Sequence, residues 1–203
     1  MADKDVSHFQ SIPWVSALLR DPSFVNITFT SRHPKSTTED SFYARTLNTP
    51  STISACLLQY RIPESSPVSS PTSSTPPTST THVQETRAFF TLGSDLNGYP
   101  GTLHGGMIST MLDECTGLLL TVRGELDDAS MRNEDNLYSA PVTAYLNTTF
   151  KQPVPTPGTV VVRTKLLEVK DSRKWKIRAD ICDEKGTVLA TGDCLFVRLK
   201  AKM

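Results

Sequence analysis

The chain has few of the residues and runs that would label it at sight. Its 203 residues include four cysteines, at positions 56, 115, 182 and 194. None forms a Cys-x-x-Cys pair, and no histidine stands at metal-ligand spacing, so neither a zinc site nor a disulfide scaffold is expected. Scattered, reduced, buried thiols are the reading that remains. Net charge is also missing: 21 basic side chains balance 21 acidic ones, leaving no chain-wide field to draw nucleic acid or an anionic membrane. The longest apolar stretch, around "GLLLTV" (117–122), is far too short to cross a bilayer. The opening "MADKDVSHFQ" carries early acids and no apolar run, unlike a secretory signal or an acid-poor transit peptide. A nucleotide-type glycine-rich phosphate loop and an internal repeat are absent too. These absences lead to the expectation of a soluble, cytoplasmic protein without metal, cofactor, nucleic-acid partner or membrane insertion.

Against this plain background, one segment stands out for its composition. "ESSPVSSPTSSTPPTSTT" (Glu64–Thr81) is nearly all Ser, Thr and Pro. It lacks the apolar side chains that offset ordering entropy and reads as a disordered insertion. The expected organisation is an N-terminal extension over 1–62 packed on the same domain, the insertion over 63–82, and the main domain over 83–203. In the extension, "SIPWVSALLRDP" (Ser11–Pro22) suggests a short helix with Ser11 as cap and Trp14, Val15 and Leu18 on its apolar face. "SFYARTL" (Ser41–Leu47) reads as a strand, and "TISACLLQY" fits helix or strand.

Beyond the insertion the pattern sharpens. Val83–Leu92 reads as a strand ending in the turn residues "GSDLNGYPG", and a helix is expected from about Leu103 to Val122. The acidic stretch Gly124–Leu137 reads as an exposed loop. Strands are then expected over 139–152, 159–170, 174–183 and 188–199, the last two joined by the hairpin signal "EKG". Trp175, Ile177, Ala179 and Ile181 alternate as a half-buried strand should. One long helix followed by an unbroken run of antiparallel strands is α+β, a sheet with its apolar face on the helix.

On a helical wheel Met107, Ile108, Met111, Leu112, Cys115, Leu118 and Leu119 occupy one broad arc, which predicts the core face. The opposite arc gathers Gly106, Ser109, Thr110, Asp113, Thr116 and Gly117, with Glu114 at the edge between the two. A stripe of small residues around one carboxylate predicts close approach of a second subunit or a substrate. Gly105 and Gly106 weaken the first turn by up to about 1 kcal/mol each relative to alanine. Without Cβ atoms, however, they let a ligand reach the free amides there, where the helix dipole favours negative charge.

"GYPGTL" followed by "HGGMISTMLDE" (98–114) resembles the signature of hotdog-fold acyl-CoA thioesterases, G-x-x-G-x-x-H-G-G with an Asp nine residues after the His. "TAYLNTTFKQPVP" (143–155) resembles the family's strand after the helix, and "SRKWKIRADICDEKGTVLATGDCLFV" (172–197) its final hairpin. "IPWVSALLRDP" is similar to the N-terminal helix of the carboxyl-terminal-modulator type. The resemblance implies a curved antiparallel sheet wrapped around the helix, a homodimer that can pair again into a dimer of dimers, and hydrolysis of acyl-CoA thioesters. It implies Asp113 as base or nucleophile and the Gly106 amide, backed by Gly105, as oxyanion donor. His104 would orient the loop or touch the thioester, and Thr143 would lie beside Asp113 to hold the water or carboxylate. Ser109 and Thr110 are implied to line the substrate, and Lys151, Arg173 and Lys174 to meet the phosphates of coenzyme A. Some relatives are mitochondrial, which makes that compartment the alternative location. Nine helical residues rise about 13–14 Å, so Asp113 cannot reach the amides at its own helix start. Acting on one carbonyl would require two chains with antiparallel helices. The family's phenylacetate-degradation branch has an asparagine six residues before the His, where this chain has Gly98; Asn97 lies one place off. Release of acyl chains from an acyl-carrier protein and non-catalytic acyl-CoA binding are the competing readings.

Overall fold

The computed structural model describes residues 2–63, 82–127 and 141–198. The Ser/Thr/Pro insertion and most of the acidic loop lie outside them. In chain order the elements are α1 (Ala2–Gln10), α2 (Pro13–Leu19), β1 (Phe24–Ile27), β2 (Ile53–Arg61), β3 (Glu85–Leu92), β4 (Asn97–Tyr99), β5 (Thr102–Leu103), α3 (Gly105–Asp127), β6 (Pro141–Phe150), β7 (Gly158–Lys170), β8 (Lys174–Cys182) and β9 (Val188–Arg198).

Seven strands form one antiparallel sheet in the order β1-β2-β3-β7-β8-β9-β6. Side-chain alternation divides it into two faces. Leu58, Phe90, Val162, Ile177 and Ala190 point to one side and pack on the buried arc of α3, where Met111, Leu112 and Leu119 are wholly enclosed. Each such buried side chain contributes roughly 1.5–3 kcal/mol relative to its exposed state. Gly192 lets the helix come this close: a Cβ there would stand 3.1 Å from Leu112 Cβ. This is the hotdog arrangement, a curved sheet around one long helix.

Leu57, Phe89 and Val161 point the other way and are covered by Phe9 of α1 and Val15 of α2. Strands β2, β3 and β7 are thus enclosed on both faces. Arg87 ties this outer layer down. Its guanidinium donates to Gln59 Oε1 at 2.7 Å and to the Leu18 carbonyl at 2.8 Å, and it lies 3.7 Å from the centre of the Phe24 ring.

The N-terminal extension departs from expectation in three ways. Helix α1 precedes the expected one, whose cap is Ile12 rather than Ser11. Pro13 opens α2, where a missing amide costs nothing, while the Ser11 hydroxyl turns back to the His8 carbonyl. Phe42–Thr46, expected as a strand, is a π-helical turn. The cause is Arg32, a buried guanidinium that donates to the carbonyls of Tyr43, Leu47 and Ile53 and to Asn48 Oδ1. Those acceptors have to curl around it, so they cannot extend into a ladder. The ambiguous "TISACLLQY" is strand, within β2.

Candidate active site

Helix α3 begins where His104 stops the chain. The His104 amide donates to the Leu96 carbonyl, and its own carbonyl accepts from Met107 and Ile108. Its ring caps the first turn: the Gly106 amide donates to His104 Nδ1 at 3.0 Å. The exposed ring lies over two glycines: a Cβ on Gly106 would stand 3.0 Å from Nδ1 and one on Gly98 would stand 3.1 Å from Cδ2. The Gly105 amide has no hydrogen-bond partner among the described residues. Around this helix start lies a cavity of about 540 Å³, lined among others by Tyr99, His104, Gly105, Phe150 and Lys151. Asn97 is not part of it; its side chain accepts a hydrogen bond from the Thr156 hydroxyl.

Two turns further on, Asp113 is half-buried, and the Thr143 hydroxyl of β6 donates to its Oδ1 at 3.0 Å. A second cavity, of about 360 Å³, opens here between α3, β6, β9 and the segment 30–40; Asp113, Glu114, Thr143, Phe196 and Ser31 are in its walls. No residue lines both cavities. Asp113 and Gly105 of one chain therefore line separate cavities.

The small-residue arc meets its own sheet. The Ser109 and Thr148 hydroxyls are 3.1 Å apart, Thr110 donates back to the Gly106 carbonyl at 2.9 Å, and Thr116, fully buried, donates to the Asp113 carbonyl at 2.8 Å. Strand β6 of the same chain approaches the stripe at Ser109 and Asp113. Lys151 lines the helix-start cavity, whereas Arg173 and Lys174 sit at the β7–β8 turn and line neither cavity.

Glu114 stands at the edge between the two arcs of the helical wheel. In the structure it shares the Asp113 cavity and accepts a hydrogen bond from the Ser31 hydroxyl. Burial pushes its carboxyl up to about 7, with the nearby charges of Asp40 and Asp113 adding to the shift and the Ser31 bond and Lys35 opposing it. Helical periodicity held no signal for this, because the groups responsible arrive from residues 31–40. Lys35 in that segment is paired with Glu39 at 2.5 Å and with Asp40 at 2.8 Å. Among the described residues there is no cluster of three His, Cys, Asp or Glu that could hold a metal, and no helix long and apolar enough to cross a membrane.

With that geometry in place, residues 100–190 match the thioesterase superfamily. Acyl-coenzyme A thioesterase THEM4 of Mus musculus is 32% identical over 118 residues, covering 57% of this chain and 44% of that protein. Verlamelin biosynthesis protein B of Lecanicillium sp is 26% identical over 170 residues, 76% of this chain and 71% of that one. A crystallised thioesterase-superfamily protein is 27% identical, with a TM-score of 0.46 over 57% of this chain and 55% of its own. The chain spans less than half the length of the mouse thioesterase.

Proposed function

We propose that the protein hydrolyses acyl-coenzyme A thioesters to the free acid and coenzyme A. The observation that carries this reading is the oriented carboxylate of Asp113, held by Thr143 at the wall of a cavity beside a helix whose glycine start presents a free amide. Asp113 takes a proton from water as the water attacks the thioester carbonyl, or attacks the carbonyl itself. Negative charge then builds on the carbonyl oxygen, and amides at a helix start are suited to receive it. Collapse expels the thiolate, which takes up a proton and leaves as free thiol; in the water route the acyl group leaves as carboxylic acid, and in the direct route it remains as an anhydride on Asp113 until water hydrolyses it to the acid and restores the carboxylate. The amide of Gly105 is free to act, and that of Gly106 joins it once the His104 ring turns aside. Lys151 is the basic group we assign to the coenzyme A phosphates.

The separation of the two cavities supports a homodimer in which Asp113 of one chain faces the partner subunit's Gly105. Strand β6 provides a surface for it. It is the last strand of the sheet, most of its residues are exposed, and Tyr145 and Phe150 stand 44% and 57% open. Helices α1 and α2 cover the outer face of β2, β3 and β7, so a second pairing of dimers would use other parts of the surface.

Co-expression of Asp113→Asn chains with Gly105→Pro chains tests both parts. Each variant alone is expected to be nearly inactive. Random assortment makes about half the dimers hybrid, each with one intact site of two, so activity returns to about a quarter of wild type. Activity no higher than that of the separate variants would sink the shared site. Wild type releasing no thiol from a panel of aliphatic and aryl acyl-CoAs would sink the thioesterase reading, and turnover of acyl-carrier thioesters instead would move it to that carrier.

A further inference from the structure

The walls of the Asp113 cavity are poorly suited to a plain hydrocarbon chain. Leu118, Leu120 and Phe196 line one part, but Ser31, Lys35, Asp40 and Glu114 line another. Ser31 satisfies one oxygen of Glu114; the other, Oε2, has no hydrogen-bond partner among the described residues. An alkyl group pressed against that oxygen would exclude water and return nothing, which makes a polar group there costly. A carboxylate-tipped acyl group fits no better. The one cation among the described residues of the wall, Lys35, is already held by Glu39 and Asp40, and Asp113 adds a further negative charge. A neutral group that both donates and accepts hydrogen bonds suits the site best.

We infer that this cavity selects acyl groups bearing a hydroxyl on the acyl chain, recognised by Glu114 with Ser31 behind it. The inference rests on the thioesterase reading, because it takes the cavity beside Asp113 as the acyl pocket. Glu114 follows Asp113 directly in the helix, so the hydroxyl lies within a few carbons of the thioester carbonyl. With its carboxyl pushed up to about 7, Glu114 is protonated in a sizeable fraction of molecules at neutral pH and can donate as well as accept. Ser31 is a positioning residue that fixes the carboxyl rotamer.

The test compares kcat/KM for hexanoyl-CoA, its β-, γ- and δ-hydroxy derivatives and adipoyl-CoA, which has the same carbon count with a terminal carboxylate. Wild type is expected to favour at least one hydroxy isomer over hexanoyl-CoA by ~10-fold or more, and to use adipoyl-CoA worst. Glu114→Met is expected to bring the hydroxy-to-plain ratio close to one, Glu114→Gln to keep part of it, and Ser31→Ala to lower it. Ratios are taken within each variant, so a smaller folded fraction cancels. Hexanoyl-CoA used as well as every hydroxy isomer, or a ratio unchanged in Glu114→Met, overturns the inference and leaves the thioesterase reading standing. Thiol release from none of these thioesters, nor from the wider acyl-CoA panel, overturns that reading and the inference with it.

Discussion

The first turn of α3 offers backbone amides and no charge, whereas its third turn offers two carboxyls in unlike surroundings. The first turn depends on what is missing: two glycines without side chains, and a histidine ring that holds one amide and leaves the other free. The third turn depends on what other segments bring. Thr143 from β6 supports Asp113, and Ser31 from the segment before β2 supports Glu114. One helix can thus carry two different kinds of site, one set by local sequence and the other by tertiary packing. The contrast also explains why the two turns differ in how well they could be read in advance.

The comparison breaks most sharply at Asp113. Asp113→Asn keeps shape and removes the proposed base or nucleophile, and is expected to lower kcat by roughly 10²–10⁴-fold. Thermal melting should change little, since Thr143 can still donate to the amide oxygen. Near-normal turnover would show that the third turn does not carry the reaction. At the other end, Gly105→Pro deletes an amide that makes no hydrogen bond among the described residues, at the first helical position, where proline is tolerated. A loss of roughly 10²–10³-fold in kcat is expected, with folding followed by circular dichroism. An unchanged kcat would remove Gly105 from the oxyanion role.

A smaller effect separates the two carboxyls from each other. The Glu114 carboxyl is raised to about 7 in the fold, above the ~4.3 of an exposed glutamate. Both states are protonated at low pH. As pH rises through the unfolded value towards 7, the unfolded chain ionises first, and the native state loses stability relative to it. Glu114→Gln lacks this loss, so its melting temperature should gain on wild type between pH 5 and 8. A constant difference across that range would mean that Glu114 is not buried as described.

Arg32 lets the tertiary contribution be tested apart from chemistry. It is buried and holds four acceptors between Tyr43 and Ile53. Arg32→Met is expected to destabilise the protein by about 2–4 kcal/mol in denaturant unfolding, because buried carbonyls lose their partner. Less than ~0.5 kcal/mol would mean the segment is anchored some other way.

How much of this could be read from residues alone follows the same division. The core arc of α3, the run β6–β9 and the pairing of Asp113 with Thr143 were legible, through periodicity for the first two and family resemblance for the third. The turn Phe42–Thr46 was not. Its buried residues Tyr43 and Ala44, with Leu47 just after it, fit a coil around Arg32 rather than strand alternation, and Arg32 lies outside the segment whose pattern was read. The small-residue stripe was legible as a distinct face of the helix, but the contact of Ser109 with Thr148 of the chain's own β6 was not. Glu114 was illegible for the same reason as the turn: its character comes from the segment that crosses it.

All four cysteines are buried. Desolvation pushes Cys56 up to about 12 and Cys194 up to about 11, and it holds Cys115, next to Glu114, well above the usual thiol range. Only a thiolate attacks a disulfide or is oxidised readily. If the proposed hydrolysis releases one thiol per turnover, the protein is protected from the disulfide formed when that thiol oxidises: no cysteine is exposed on the native surface to form a mixed disulfide with it.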